Sequence, residues 1–131
     1  MPQPQIVVAI AAAKEPVPLF GGIAIEASIS EALSTVIDMQ GCKGGSLDVV
    51  RNTGTGTFSL AVMVSDIATG VFHQAYLQKD DGTVVVYPPL LTIASTSTAQ
   101  KISRIPGRYL KLVPTLSGTA NCTFEFTPEL N

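Results

Sequence analysis

The feature that most constrains this chain's fold is a strict alternation of apolar residues with small or polar ones over Thr57–Ser65. Phe58, Leu60, Val62 and Val64 occupy every second position of that segment. Successive side chains of a β-strand point to opposite faces, so a period of two predicts a strand with one buried face. An amphipathic helix would instead place its apolar residues three and four positions apart.

Two segments near the end of the chain, Arg108–Leu116 and Ala120–Thr127, alternate in the same way. Each therefore predicts another half-buried strand. The residues expected to share a buried side are Leu110, Leu112 and Leu116 in the first segment, and Cys122, Phe124 and Phe126 in the second.

Short strand-like segments recur along the whole chain and are separated by turn sequences rich in Gly, Pro, Ser and Thr. About eight such strands are predicted, a pattern typical of a β-sandwich and not of a parallel α/β sheet. We therefore predict an all-β fold, a single antiparallel jelly-roll-like sandwich over residues 23–131. Ser30 followed by Glu31 could begin a helical turn, but the β-branched run Thr35–Ile37 argues against a long helix.

Residues 1–22 are predicted to form an extended N-terminal arm. This segment holds four of the nine prolines, and the Pro16-Val17-Pro18 spacing disfavours a helix. If the arm crosses to a neighbouring subunit, Val17, Leu19 and Phe20 are the candidate inter-subunit contacts. The alternative, in which the arm folds back on its own domain, is equally open.

The apolar run Ile6–Ala13 lies within this arm. It is too short to span a membrane as a helix. No Lys or Arg precedes it, so it lacks the basic region of a secretory signal. We therefore expect neither a membrane partner nor a cleaved signal.

Charged residues make up only 14 % of the chain, against about 25 % in average soluble domains. The surface is therefore either covered by Ser, Thr and Gly or buried against other chains, and a low-charge surface is poorly protected against association. The net charge is −2 and no basic cluster occurs, so nucleic acid is not an expected partner. Without Trp, and with 6 % aromatic residues, the chain is poorly supplied for stacking on sugars.

No residue set in the sequence points to catalysis, a metal or a cofactor. His73 is the only histidine and has no marked nucleophile or orienting partner. Asp66 and Asp80-Asp81 could supply oxygen ligands to Ca²⁺, but they lack the repeating acidic spacing of a dedicated loop. Gly54-Thr55-Gly56 lacks the Lys and the helix of a phosphate-binding loop. We expect no enzyme, no metal site and no cofactor.

The two cysteines, Cys42 and Cys122, are too few for a metal site. They could form one disulfide if their strands meet. Two reduced, buried thiols are the favoured interpretation, because free Cys often serves as a small apolar core residue.

Arg108 and Tyr109 are the candidate ligand or surface contact. In a sandwich that binds a ligand through its end loops, this pair could touch the ligand. In the simpler alternative, Tyr109 covers the edge of the core and Arg108 pairs locally.

Three segments carry a resemblance to a known class of proteins. They are the hairpin NTGTGTFSLAVMVSD at Asn52–Asp66, the loop-rich DDGTVVVYPP, and the closing IPGRYLKLVPTLSGTANCTFEF at Ile105–Phe126. Over roughly residues 33–127 the chain resembles small β-sandwich structural proteins of tailed-phage virions. Similar endings occur in discoidin-like binding sandwiches. The arm at residues 1–22 lies outside the resemblance.

The resemblance implies a virion protein of the decoration, head-fibre or adaptor type, with no catalytic residues to carry over. Its expected partners are further copies of itself, as a trimer or higher oligomer, and other virion proteins such as the major capsid protein. A carbohydrate- or receptor-binding sandwich is the alternative function, with its site in the loops at one end.

Overall fold

The fold is known from a computed structural model, which describes residues 8–11, 15–42, 44–74, 77–78, 84–85, 90–93, 98–102, 105 and 107–129. Between residues 75 and 104 the description covers backbone only. The part of the chain described is almost entirely β-strand and connecting loop, without an α-helix. Two short 3₁₀ turns, Phe20–Gly22 and Glu31–Leu33, are its only helical segments.

Twelve strand segments occur in the described residues. In chain order they are β1 (Val8–Ile10), β2 (Val17–Pro18), β3 (Val36–Asp38), β4 (Gly44–Gly54), β5 (Thr57–Ser65), β6 (His73–Gln74), β7 (Leu77–Gln78), β8 (Val84–Val85), β9 (Leu90–Ile93), β10 (Thr98–Ile102), β11 (Tyr109–Ser117) and β12 (Ala120–Glu129).

The strands form two main sheets in a β-sandwich-like arrangement. The six-stranded sheet has the order β1-β3-β11-β5-β6, with β9 also pairing with β5. The four-stranded sheet has the order β10-β4-β12-β2, and β7 pairs separately with β8. Short turns join β4 to β5 and β11 to β12, so the long strands of the two sheets lie over one another.

The core lies between the sheets and is built from the alternating residues that the sequence predicts. Phe58, Leu60 and Val62 of β5 are each 0 % exposed, and so are Phe124 and Phe126 of β12. The predicted inward side of β5 and β12 is therefore confirmed. Leu110 and Leu112 of β11 are buried as predicted, and the partly buried Leu116 packs against the core edge.

The prediction of a purely antiparallel sandwich is wrong at one pair of strands. β1 lies parallel to β3, with Val8 opposite Val36 and Ile10 opposite Asp38. The chain leaves β1 in one sheet, pairs as β2 with the other sheet, and returns to the first sheet as β3. A parallel pair needs such a crossover connection, whereas a hairpin gives an antiparallel pair. The arrangement is therefore not an antiparallel jelly roll throughout.

The number and limits of the strands also differ from the prediction of about eight. The alternating segment at 23–28 does not form a continuous strand. It runs beside β12 and makes one isolated bridge, between Ile25 and Cys122. The helical turn that Ser30 and Glu31 could begin is present as the 3₁₀ turn Glu31–Leu33, with Ser30 at its N-cap. The side chain of Ser30 makes no capping hydrogen bond there.

Candidate functional site

The N-terminal segment forms one whole side of the sandwich. β1 pairs with β3 at the edge of the six-stranded sheet, and β2 pairs with β12 at the edge of the four-stranded sheet. The backbone follows β12 further, because the Leu19 N–H donates to the Phe124 carbonyl oxygen at 3.0 Å. Ile25 and Cys122 then exchange two backbone hydrogen bonds of 2.8 and 3.1 Å.

The side chains predicted as inter-subunit contacts lie in the core of their own chain. Val17 is 4 % exposed, and Leu19 and Phe20 are each 1 % exposed. In one chain, this segment therefore completes the core. The same contacts could be made by the arm of a second subunit, so exchange of the arm stays a prediction.

Phe20 joins the two sheets. Its ring meets Phe124 edge-on at a centroid distance of 5.7 Å, and Phe124 meets Phe58 in the same way at 5.3 Å. The Phe20 N–H donates a buried hydrogen bond of 2.8 Å to Oγ1 of Thr35, just before β3. Phe20 has a φ of +55°, which is uncommon for a bulky residue and places the ring inward.

β1 presents apolar side chains to the exterior. Val8 is 46 % exposed and Ile10 63 % exposed, while Ala9 between them packs against the core. β1 is the terminal strand of its sheet, so its outer edge has no neighbour among the described strands. This edge and its exposed side chains form the part of the arm that is open to a partner.

Arg108 and Asp38 form a two-point ion pair at one end of the sandwich. Nε and Nη2 of Arg108 donate to the two carboxylate oxygens of Asp38 at 3.0 and 3.1 Å. The carboxylate also accepts the Gln40 N–H at 3.2 Å. Hydrogen bonding from Arg108 holds the pKa of Asp38 below its ordinary value, although burial acts in the opposite direction.

Tyr109 lies under the same guanidinium. The Arg108 Cζ is 5.1 Å from the centre of the Tyr109 ring, a cation–π distance. The side chain of Arg108 is 56 % exposed, whereas that of Asp38 is only 8 % exposed. Asp38 and Tyr109 hold the inner side of Arg108, and its outer side faces solvent. Local pairing of Arg108 is therefore compatible with contact between the Arg108–Tyr109 pair and a ligand.

Two shallow clefts lie at this end of the sandwich, and Arg108 lines one of them. One has a volume of about 390 Å³ and is lined mainly by the loop after β5. The other, of about 360 Å³, lies beside Arg108 and the Cys42 loop. The lining residues are Val64, Ser65, Asp66, Ile67, Gly70, Val71 and His73 in the first cleft, and Met39, Gly41, Cys42, Ile105, Gly107 and Arg108 in the second.

Two of the remaining candidate residues, Asp66 and His73, line the first of these clefts. His73 is exposed on β6 and Asp66 is exposed in the loop before it. Asp80 and Asp81 lie outside the described residues. Among the residues whose placement is described, no group of three or more His, Cys, Asp and Glu could hold a metal ion.

The two cysteines are free and buried in the structure. Burial raises the pKa of the Cys122 thiol. This agrees with the interpretation as reduced core thiols.

The described part of the chain contains no helix of the length and apolar character needed to cross a membrane.

Sequence reasoning missed two residues that position the others. Asp38 is separated from Arg108 by 70 residues, and Thr35 from Phe20 by 15 residues. Neither pair has a local spacing that signals contact, because the pairs form only when β3 meets β11 and the arm meets β3. The apolar, uncharged character of residues 6–13 was the one available signal for the exposed β1 edge.

Comparison of the chain with protein-family models, with curated proteins and with solved structures finds no match.

Proposed function

We propose that this chain is a structural subunit of a tailed-phage virion, which assembles with copies of itself on a capsid or tail and acts as a decoration, stabilising or adaptor protein. The observation that supports this most is the arm. It forms one edge strand of each sheet and supplies core side chains, yet its β1 portion leaves apolar side chains exposed. A segment of this kind can hold neighbouring subunits together through edge pairing and exchange.

The low charge content supports the same proposal. Only 14 % of residues are charged, and large apolar side chains remain exposed outside β1 as well. Ile67 is 63 % exposed and Val71 is 74 % exposed, both in the loop between β5 and β6. Surfaces of this composition are stabilised by contact with other proteins.

Exchange of the arm can be tested with a designed disulfide. Pro18 lies opposite Glu125 in the pairing of β2 with β12. Opposed residues of antiparallel strands have Cα atoms about 4.5–5.5 Å apart, within the range that a disulfide spans. After mild oxidation of the P18C/E125C double variant, an exchanged arm gives covalently linked oligomers on a non-reducing gel.

A cross-linked monomer would show that the arm stays on its own chain. The single variants P18C and E125C serve as controls, because neither can form the designed bond. The native thiols of Cys42 and Cys122 are buried and are not expected to interfere.

Immunogold electron microscopy tests separately whether the protein is part of the virion. Antibody raised against the purified chain should label intact phage particles encoded by the same genome, at regular positions. Antibody blocked with the purified chain is the control. Unlabelled particles, together with absence of the chain from their mass spectrum, would exclude the virion function.

A carbohydrate- or receptor-binding module is the second candidate. The two clefts at the Arg108 end of the sandwich favour it, because loops at one end of a sandwich commonly form binding sites. A glycan array probed with the wild type and with R108A distinguishes this function. Binding that R108A abolishes would support it, and an array without hits would remove the carbohydrate form.

A further inference from the structure

We propose that β1 of one subunit pairs antiparallel with β1 of a second copy, so that the six-stranded sheets of two subunits become one continuous sheet. This inference rests on the proposed assembling function and specifies its contact. The partner is the same strand of an identical chain, related by a two-fold axis. Such an isologous contact is self-complementary and closed.

The backbone of β1 leaves hydrogen-bonding groups for that partner. The Ala11 N–H donates to the Asp38 carbonyl oxygen at 2.8 Å, toward β3. Because backbone groups of successive residues alternate between the two sides of a strand, the N–H and C=O of Ile10 point away from β3. Pairing with a second β1 would satisfy them within a ladder.

The sequence of the strand lacks the charges and prolines by which proteins often protect a sheet edge. Natural edges usually carry a charge, above all Lys, or a Pro or a bulge that prevents pairing. Residues 6–13 read IVVAIAAA, and no charged residue precedes Lys14. A two-fold contact places each residue near its own copy, so an uncharged strand meets no like-charge repulsion there.

The side chains of the strand fit the same partner. Val8 and Ile10 share the outer face of the sheet and are 46 % and 63 % exposed. In an antiparallel pair of β1 strands, these β-branched residues become cross-strand neighbours. Such pairs stabilise a sheet by burying apolar surface between the strands. The edge thus offers both the backbone and the side-chain contacts of an interface between two copies.

Light scattering coupled to size exclusion tests the pairing on the full chain at about 100 µM. The wild type should have a mass that is an even multiple of 13.7 kDa. I10K places a like charge at the contact, and I10P removes the outward N–H. Both should halve the mass, while the far-UV circular dichroism spectrum stays that of the wild type, because Ile10 is exposed within one chain and its replacement does not disturb the core.

Ile23→Lys is the matched control, because Ile23 is also an exposed apolar residue, at 41 %, but lies just after the arm and outside β1. Its mass should equal that of the wild type. An oligomer whose mass neither I10K nor I10P changes would overturn the β1 pairing and leave assembly through other contacts intact. A monomeric wild type would overturn the pairing too, while the virion function would still be decided by immunogold labelling.

Discussion

The ring of Phe20 packs edge-on against the ring of Phe124, 5.7 Å between centroids, although the two residues belong to opposite ends of the chain. The contact attaches the arm to the central strand of the four-stranded sheet. Through its backbone N–H, Phe20 also binds Thr35 beside the other sheet. The arm is therefore part of the core of the folded chain and also forms an exposed sheet edge.

Replacing the ring of Phe20 should lower the free energy of unfolding. F20A removes a fully buried aromatic side chain, and such substitutions lower the free energy of unfolding by about 3–5 kcal/mol. Urea denaturation followed by circular dichroism measures the change. I23A, three residues further along the chain at an exposed position, should cost less than about 1 kcal/mol. Equal effects of the two variants would contradict the placement of Phe20 in the core.

The ion pair of Asp38 and Arg108 should make stability depend on pH in the acid range. The pKa of Asp38 is lower in the folded chain than in the unfolded one, mainly through the hydrogen bonds from Arg108. The stabilisation is therefore fully present above the unfolded pKa, about 3.9, and is lost as the pH falls through the folded value.

The comparison that isolates this effect is wild type against R108Q, from pH 7 to pH 2.5. R108Q should unfold at a lower urea concentration at pH 7, and the two midpoints should converge below about pH 4 as Asp38 is protonated. D66N removes an exposed carboxylate in the adjacent loop and serves as the control. A difference between wild type and R108Q that is constant with pH would show that the ion pair does not stabilise the fold.

A turn can require glycine because its φ is positive or because a Cβ would collide with neighbouring backbone. Alanine substitutions at three glycines test these two reasons. Gly41 has a φ of +87° but open space where a Cβ would lie, so G41A should cost about 1–2 kcal/mol through backbone conformation alone. At Gly56 no positive φ applies, but a Cβ would lie 2.7 Å from the carbonyl oxygen of Ser117. G56A should therefore cost about 1–3 kcal/mol through overpacking.

Gly54 combines both restrictions. Its φ is +85°, and a Cβ there would collide with the backbone of Thr119 and Ala120. G54A should be the most destabilising of the three substitutions, measured by the same urea transitions. An order in which G41A costs most would contradict the close approach of the β4–β5 and β11–β12 turns. Arg51 holds the β4–β5 turn itself by donating to the carbonyl oxygens of Gly54 and Gly56 at 3.1 and 2.8 Å.

The thiols should differ in their reaction with iodoacetamide at pH 8. Cys122 is 0 % exposed and burial raises the pKa of its thiol, so both access and thiolate formation are suppressed. Cys42 is 5 % exposed and lines an open cleft, so it should be modified first. Mass spectrometry of peptides after timed alkylation measures both rates, and in urea the two rates should become similar. Faster native modification of Cys122 would contradict its burial between the sheets.

The local alternation of residues was enough to predict β5, β11 and β12 and the buried faces of β5 and β12. Phe58, Leu60 and Val62 face the core because a period of two leaves a strand no other way to bury them. The turns around Gly54 and Gly118 follow from residues that tolerate a positive φ. These properties depend on neighbours a few positions apart, and the sequence contains them directly.

Only the tertiary structure decided which strands meet. The parallel pairing of β1 with β3, the contact of Phe20 with Phe124, and the ion pair of Asp38 with Arg108 all join distant parts of the chain. Each depends on the path by which the arm crosses between the sheet edges. That path is determined by the total burial of many side chains at once, and no local spacing of residues encodes it.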